Sequence, residues 1–230
     1  MRKLFCSLLT IFFLSHCFAQ DTVERKNKLS DSIIESFWVL KSNKDIKQGL
    51  YRAFFKRRTL VAAGNYNNDK KTGIWNFYKP NGLLVQRFNY DNNKLIFESA
   101  SDTLYDVHYL FDKKLNDSDM ITRPVKAGGI YYGMTPYLGI FQLPFETFDI
   151  NTDNFDATVE LLISPLGRLA DYKVHVISPY YNFNQTFNLD VNLFNEADRQ
   201  FIPATLNGDA VLSRIIIRCY VTGTGKLDFY

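Results

Sequence analysis

From residue 46 to residue 97 short apolar runs alternate with clusters of Asn, Asp, Gly, Pro and Lys. The runs at 50–55, 74–78 and 83–90 are rich in aromatic and branched residues and predict strands, while 67–69 and 91–93 predict turns between them. In Lys79-Pro80-Asn81-Gly82, Pro presets φ at the second turn position and Gly accepts positive φ at the fourth. Together these segments describe an antiparallel meander of hairpins.

The pattern repeats. Residues 49–72 (GLYRAFFKRRTLVAAGNYNNDKKT) align with residues 73–96 (GIWNFYKPNGLLVQRFNYDNNKLI) at a period of 24. Gly49 falls on Gly73, Tyr51 on Trp75, Phe54 on Tyr78, Asn65-Tyr66 on Asn89-Tyr90 and Lys70 on Lys94. A fixed period of this size marks one small unit stacked on copies of itself. The aromatic ladder has two readings, packing between stacked hairpins or an outward stripe that binds a ligand. The candidate binding face is Tyr51, Trp75, Tyr78 and Tyr90.

Outside the repeat, residues 21–34 are polar and predict a disordered N-terminus, and 35–40 (ESFWVL) predict a strand. The first unit spans 35–112, with a further strand within 104–111, and 113–121 reads as a linker. In 122–230 the pattern predicts a short helix over 130–141 broken at Pro136 and strands at 157–164 and 169–178. It also predicts a helix over 189–201 from the stripe Leu189, Leu193, Ala197 and Phe201, and a closing strand over 211–221.

Residues 1–20 read as a secretory signal: Arg2 and Lys3 precede an apolar run too short to span a bilayer, with cleavage expected after Ala19 or Gln20. The alternative is lipidation of Cys17, which would anchor the chain. Loss of Arg2 and Lys3, with no acid, lowers the formal charge from +3 to +1, which argues against a nucleic-acid partner. Lys56-Arg57-Arg58 reads as a solvated hairpin turn. No later segment has the length of a membrane span.

Cys219 is the one cysteine beyond the signal region and reads as a buried apolar thiol. His108 and His175 have no metal-ligand spacing, and Gly223-Thr224-Gly225-Lys226 lacks the first glycine and the Ser or Thr of a phosphate loop. Neither a catalytic constellation nor a cofactor site is expected.

Gly73-Ile74-Trp75-Asn76-Phe77-Tyr78, with Asn81-Gly82-Leu83-Leu84, resembles the MORN-variant repeat, and Gly49–Phe54 is a weaker copy; the resemblance covers about 46–97. Residues 122–230 resemble the TonB C-terminal domain of the Bacteroidetes periplasmic type. Pro124, Gly128, Gly129, Gly167, Leu189-Asp190, Phe201, Pro203-Ala204 and Asn207-Gly208 occupy the matching places. The inner-membrane helix and proline-rich spacer of a true TonB are missing from the pattern, so its energised-transport role does not carry over.

The resemblances imply an α+β fold, with an N-terminal antiparallel β-meander of MORN-like hairpins and a small C-terminal α+β domain whose antiparallel sheet is packed by helices. They imply an exported, periplasmic, non-enzymatic adaptor that binds an envelope protein, outer-membrane associated in one version. Strand addition or homodimerisation would use the last strand, through Ile215, Ile217, Cys219 and Val221. Two other readings stand beside this one, a glycan or small-molecule binding module using the aromatic face and a secreted hydrolase with unrecognised carboxylates.

Overall fold

A computed structural model describes residues 21–99, 106–144 and 151–230. The signal segment and Cys17 lie outside the described residues. Every strand pairing among the described residues is antiparallel, and the protein is mostly β.

Seven strands form the first sheet in sequence order: β1 (Thr22–Lys28), β2 (Ile33–Leu40), β3 (Lys47–Phe55), β4 (Thr59–Asn67), β5 (Lys70–Tyr78), β6 (Leu84–Asn89) and β7 (Lys94–Glu98). Alternation drives it: on β5, Trp75 and Phe77 are buried while Ile74 faces solvent. The turns use residues that tolerate positive φ. Asn68 (47°) and Asp69 (64°) close the β4–β5 hairpin, and Lys56 and Arg57 lie in the solvated β3–β4 turn. Residues 22–28, expected to be disordered, form β1 instead. The strand is almost wholly polar, so it carries no apolar signal, and its backbone pairing to β2 holds it at the sheet edge.

The second sheet runs β12–β11–β10–β15–β16, where β10 is Asp156–Ile163, β11 Leu169–Ser178, β12 Phe183–Asn188, β15 Ser213–Val221 and β16 Leu227–Asp228. Strand β8 (Val107–Phe111), which sequence assigns to the first unit, pairs with β15. A small third sheet joins β9 (Ile121–Thr122), β13 (Ala204–Leu206) and β14 (Asp209–Val211); the β13–β14 turn is Asn207-Gly208.

Helical structure among the described residues is slight. The only α-helix among the described residues, α1 (Thr135–Gly139), holds Pro136 within its first turn rather than breaking there, because proline's missing N–H costs nothing in a first turn. The helix expected over 189–201 is two 3₁₀ turns. Asp190 accepts from the Asn192 N–H and Asn195 from the Asp198 N–H, and these short polar side chains compete with continuous helix.

One hydrophobic core runs through both large sheets. Its seam is polar as well as apolar. The buried amide of Gln86 accepts from the N–H groups of Gly128 (2.8 Å) and Gly129 (3.0 Å) and donates to Lys126 O (3.0 Å). The backbone must approach closely there: a Cβ on Gly129 would meet Phe77 at 3.2 Å, and φ is +72°. Arg123 adds an ion pair with Glu98 at 2.8 Å, and Phe55 meets Tyr131 edge-on at 5.8 Å.

Candidate functional site

The 24-residue period extends two residues further toward the N-terminus, to Lys47 and Lys71, and its structural meaning lies there. The Lys47 ammonium stacks over Phe37, Tyr51 and Tyr66 at 4.5, 5.6 and 5.2 Å. The Lys71 ammonium stacks over Trp75 and Tyr90 at 5.0 and 5.1 Å. Tyr51 and Tyr66 are the first-copy equivalents of Trp75 and Tyr90, so each copy seats one lysine on the same two aromatic positions.

The copies differ in what else the ammonium meets. Glu35 on β2, opposite Ala53, lies 3.8 Å from Lys47. One copy later the position opposite Phe77 is Ala62 on β4. Lys71 therefore has the rings but not the carboxylate. Its one hydrogen-bond partner among the described residues is the Tyr90 hydroxyl, at 3.5 Å.

Glu35 ends a chain of phenols. Tyr51 donates to it at 2.7 Å, which leaves Tyr132 to donate to Tyr51 at 2.6 Å. Burial, then the neighbouring phenol and carboxylate, holds the Tyr51 hydroxyl far above the ordinary phenol range. These phenols stay neutral donors.

Lys71 opens into a cavity of about 1160 Å³ between the first sheet and the second half of the chain. Tyr66, Phe88 and Tyr90 line it from the sheet, Lys126 and Tyr132 from the segment leading into α1, and Asp198 from the last 3₁₀ turn. The exposed side chains of Leu166 and Leu193 also line it. Thr135 contributes a buried hydroxyl without a hydrogen-bond partner among the described residues.

Three lysines and Arg168 line this space; Lys70 is exposed, and the other two lysines are held differently. Lys126 donates to the carbonyls of Ala197 and of Gln200 (3.3 Å) and lies 3.6 Å from Asp198. Burial lowers its amine to about 8, with Asp198 opposing the shift. Burial, reinforced by the charge of Lys126, also lowers Lys71 to about 8. Asp198 is already engaged by Lys126 and by Asn195, the latter at 2.7 Å. Asp69, beside Lys71 in sequence, accepts from the Lys47 N–H at 3.4 Å.

The residues expected to bind fall in different places. Tyr51 and Trp75 are fully buried; the Trp75 indole donates to Asn65 O at 3.2 Å. They pack the ladder and form a layer beneath the cavity rather than an outward stripe. Tyr90 does line the cavity, and Tyr78 lies outside its lining. Ile215, Ile217, Cys219 and Val221 do not form an edge. β15 has β10 on one side and β8 and β16 on the other, and all four side chains are buried. Burial pushes the Cys219 thiol up to about 12. Lys71 was accessible to sequence reasoning through the period; Lys126, Tyr132 and Asp198 carry no local signal.

No known family model, curated protein or solved structure matches this chain.

Proposed function

We propose that this chain is a non-enzymatic binding protein of the cell envelope whose small-molecule ligand occupies the cavity between the two halves of the fold. The observation that carries this reading is the cavity wall itself, where stacked rings, neutral phenols and two ammonium groups surround one space. An apolar concavity with a few convergent polar groups is the usual form of a small-molecule site. The repeated lysine-on-aromatic unit supports the MORN-like reading of residues 46–97. The strand–turn–strand of β10 and β11 and the Asn207-Gly208 hairpin support the TonB-like α+β reading of 122–230. Export rests on the signal-like residues 1–20.

Native mass spectrometry of the protein isolated from its own cells tests this function. Gly139 lines the cavity, and a Cβ there would meet nothing within 4 Å, so Gly139→Trp adds a large ring at the cavity wall without a clash at its root. The native protein should carry a small-molecule adduct that Gly139→Trp lacks. An equal adduct on both proteins, or none on either, contradicts the reading.

An adaptor that binds an envelope protein by strand addition is the second reading, moved from β15 to β12. That strand pairs only with β11 among the described residues and exposes Asn184, Gln185 and Thr186. Gln185→Pro would abolish capture of a partner held this way.

A further inference from the structure

We propose that the cavity ligand is a small organic acid with a flat apolar body, and that Lys71 is the counter-ion of its acidic group. This deepens the binding reading above and rests on it. The two repeat copies differ at this point. In the first, the stacked ammonium of Lys47 has Glu35 at 3.8 Å. In the second, alanine occupies the corresponding place, and the stacked ammonium of Lys71 faces a cavity instead. Lys71 is half-buried, and an ammonium partly withdrawn from water is held better with an anion beside it.

No carboxylate among the described residues forms an ion pair with Lys71. Asp198 is held by Lys126 and Asn195, Asp69 accepts from the Lys47 backbone, and Glu35 serves Lys47 and Tyr51. An anion entering the cavity would complete in the second copy the ion pair that the first copy carries within itself. The body of the ligand follows from the remaining walls. Tyr66, Phe88, Tyr90 and Phe194 present rings and exposed Leu166 and Leu193 add aliphatic surface, beside polar positions such as Asn93, Asn195 and Gln200. Such a lining favours a flat apolar skeleton over a polyhydroxylated one.

Protonation couples to this site. The groups that act on Lys71 are Lys126 and Asp198 across the cavity and Lys47 and Glu35 along the sheet. Asp69 and Lys70 adjoin it in the turn, Arg168, paired with Glu196, faces the same space, and Tyr66, Tyr90 and Tyr132 also line it. With the Lys71 amine lowered to about 8, the ammonium predominates at pH 7 and is mostly lost by pH 9.5.

Calorimetric titration with two probes of one shape tests the proposal: 2-naphthalenesulfonate, an anion, and 2-(methylsulfonyl)naphthalene, its neutral counterpart. The native protein should bind the sulfonate at least about tenfold more tightly at pH 7, as a charge-assisted contact gives. Lys71→Gln should erase that preference, bringing the sulfonate down to about the affinity of the sulfone. In the native protein alone, the preference should fade between pH 7 and 9.5, a result that needs no variant to fold. Equal binding of the two probes overturns the acid and leaves the cavity reading standing. A sulfonate preference that survives Lys71→Gln, or persists at pH 9.5, overturns Lys71 as counter-ion. Binding of neither probe, in native protein that is folded by circular dichroism, removes the cavity reading itself.

Discussion

The side-chain carbonyl of Gln86 accepts the backbone N–H of Gly128 at 2.8 Å, across 42 residues of sequence. The same oxygen takes Gly129 at 3.0 Å, and the amide nitrogen donates to Lys126 O at 3.0 Å and to Glu98 at 3.3 Å. One side chain thus satisfies a stretch of buried backbone that no strand pairs, and it fixes the second half of the chain against the first sheet. Gln86→Leu keeps the volume but leaves the buried Gly128 N–H without a partner and the Gly129 N–H with only its longer bond to Lys126 O at 3.3 Å. It should lower stability by about 2 kcal/mol or more, read as a shift of the urea unfolding midpoint. An unchanged midpoint would mean that the 126–129 segment is solvated in solution.

Trp75 and Gly64 should behave as one unit. Gly64 sits in the irregularity of the β4–β5 pairing, and a Cβ there would fall 2.2 Å from the Trp75 ring. Gly64→Ala should therefore cost about 1–3 kcal/mol through overpacking. Trp75→Ala should cost on the order of 3 kcal/mol or more through the cavity it leaves. Gly64→Ala should cost much less when Trp75 is already alanine, and a double-mutant cycle by urea unfolding reads the coupling. Additive costs would place the indole elsewhere.

Stability should pass through a maximum on the alkaline side of neutrality. Lys71 and Lys126 titrate near 8 when folded and near 10.5 when unfolded, so between these values the unfolded chain binds more protons and stability rises with pH. Above about 10 the sign reverses, because tyrosines ionise in the unfolded chain while Tyr51, Tyr66 and Tyr90 remain protonated in the fold. Urea midpoints at pH 7, 9.5 and 11 should be highest at 9.5. A steady fall from pH 7 upward would show both ammonium groups to be solvated.

Cys219 should be inert in the folded protein. Its thiol is fully buried on β15 and pushed up to about 12, leaving little thiolate at pH 8. An aromatic disulfide reagent should label it only after unfolding, so prompt labelling of the native protein would contradict the interior placement of β15.

Legibility in the sequence followed the range of the interactions. The hairpins of the first sheet were readable because alternation and turn chemistry act within a few residues, as at Asn68 and Asp69. The polar strand β1 was not, since only its pairing to β2 orders it. The stripe Leu189, Leu193, Ala197 and Phe201 mimicked a helix, but Asp190 and Asn195 bond to nearby backbone and break it into turns. Lys71 was readable from the period, one copy after Lys47. Its lack of a carboxylate was not, because Glu35 and Ala62 correspond only through strand pairing. Lys126 and Asp198 reach the cavity only because the two halves share a core.

The central claim is that the cavity above the second aromatic pair is the binding site, and the two tryptophans offer a direct test. Neither tryptophan is in the cavity lining, but Trp75 lies directly beneath Lys71, which is, whereas Trp38 is on β2. Their indole N–H resonances should be followed while 2-naphthalenesulfonate is added. The Trp75 signal should shift and saturate while the Trp38 signal stays in place. Shifts of both signals in proportion to the ligand added, or a saturating shift of Trp38 alone, would contradict the claim.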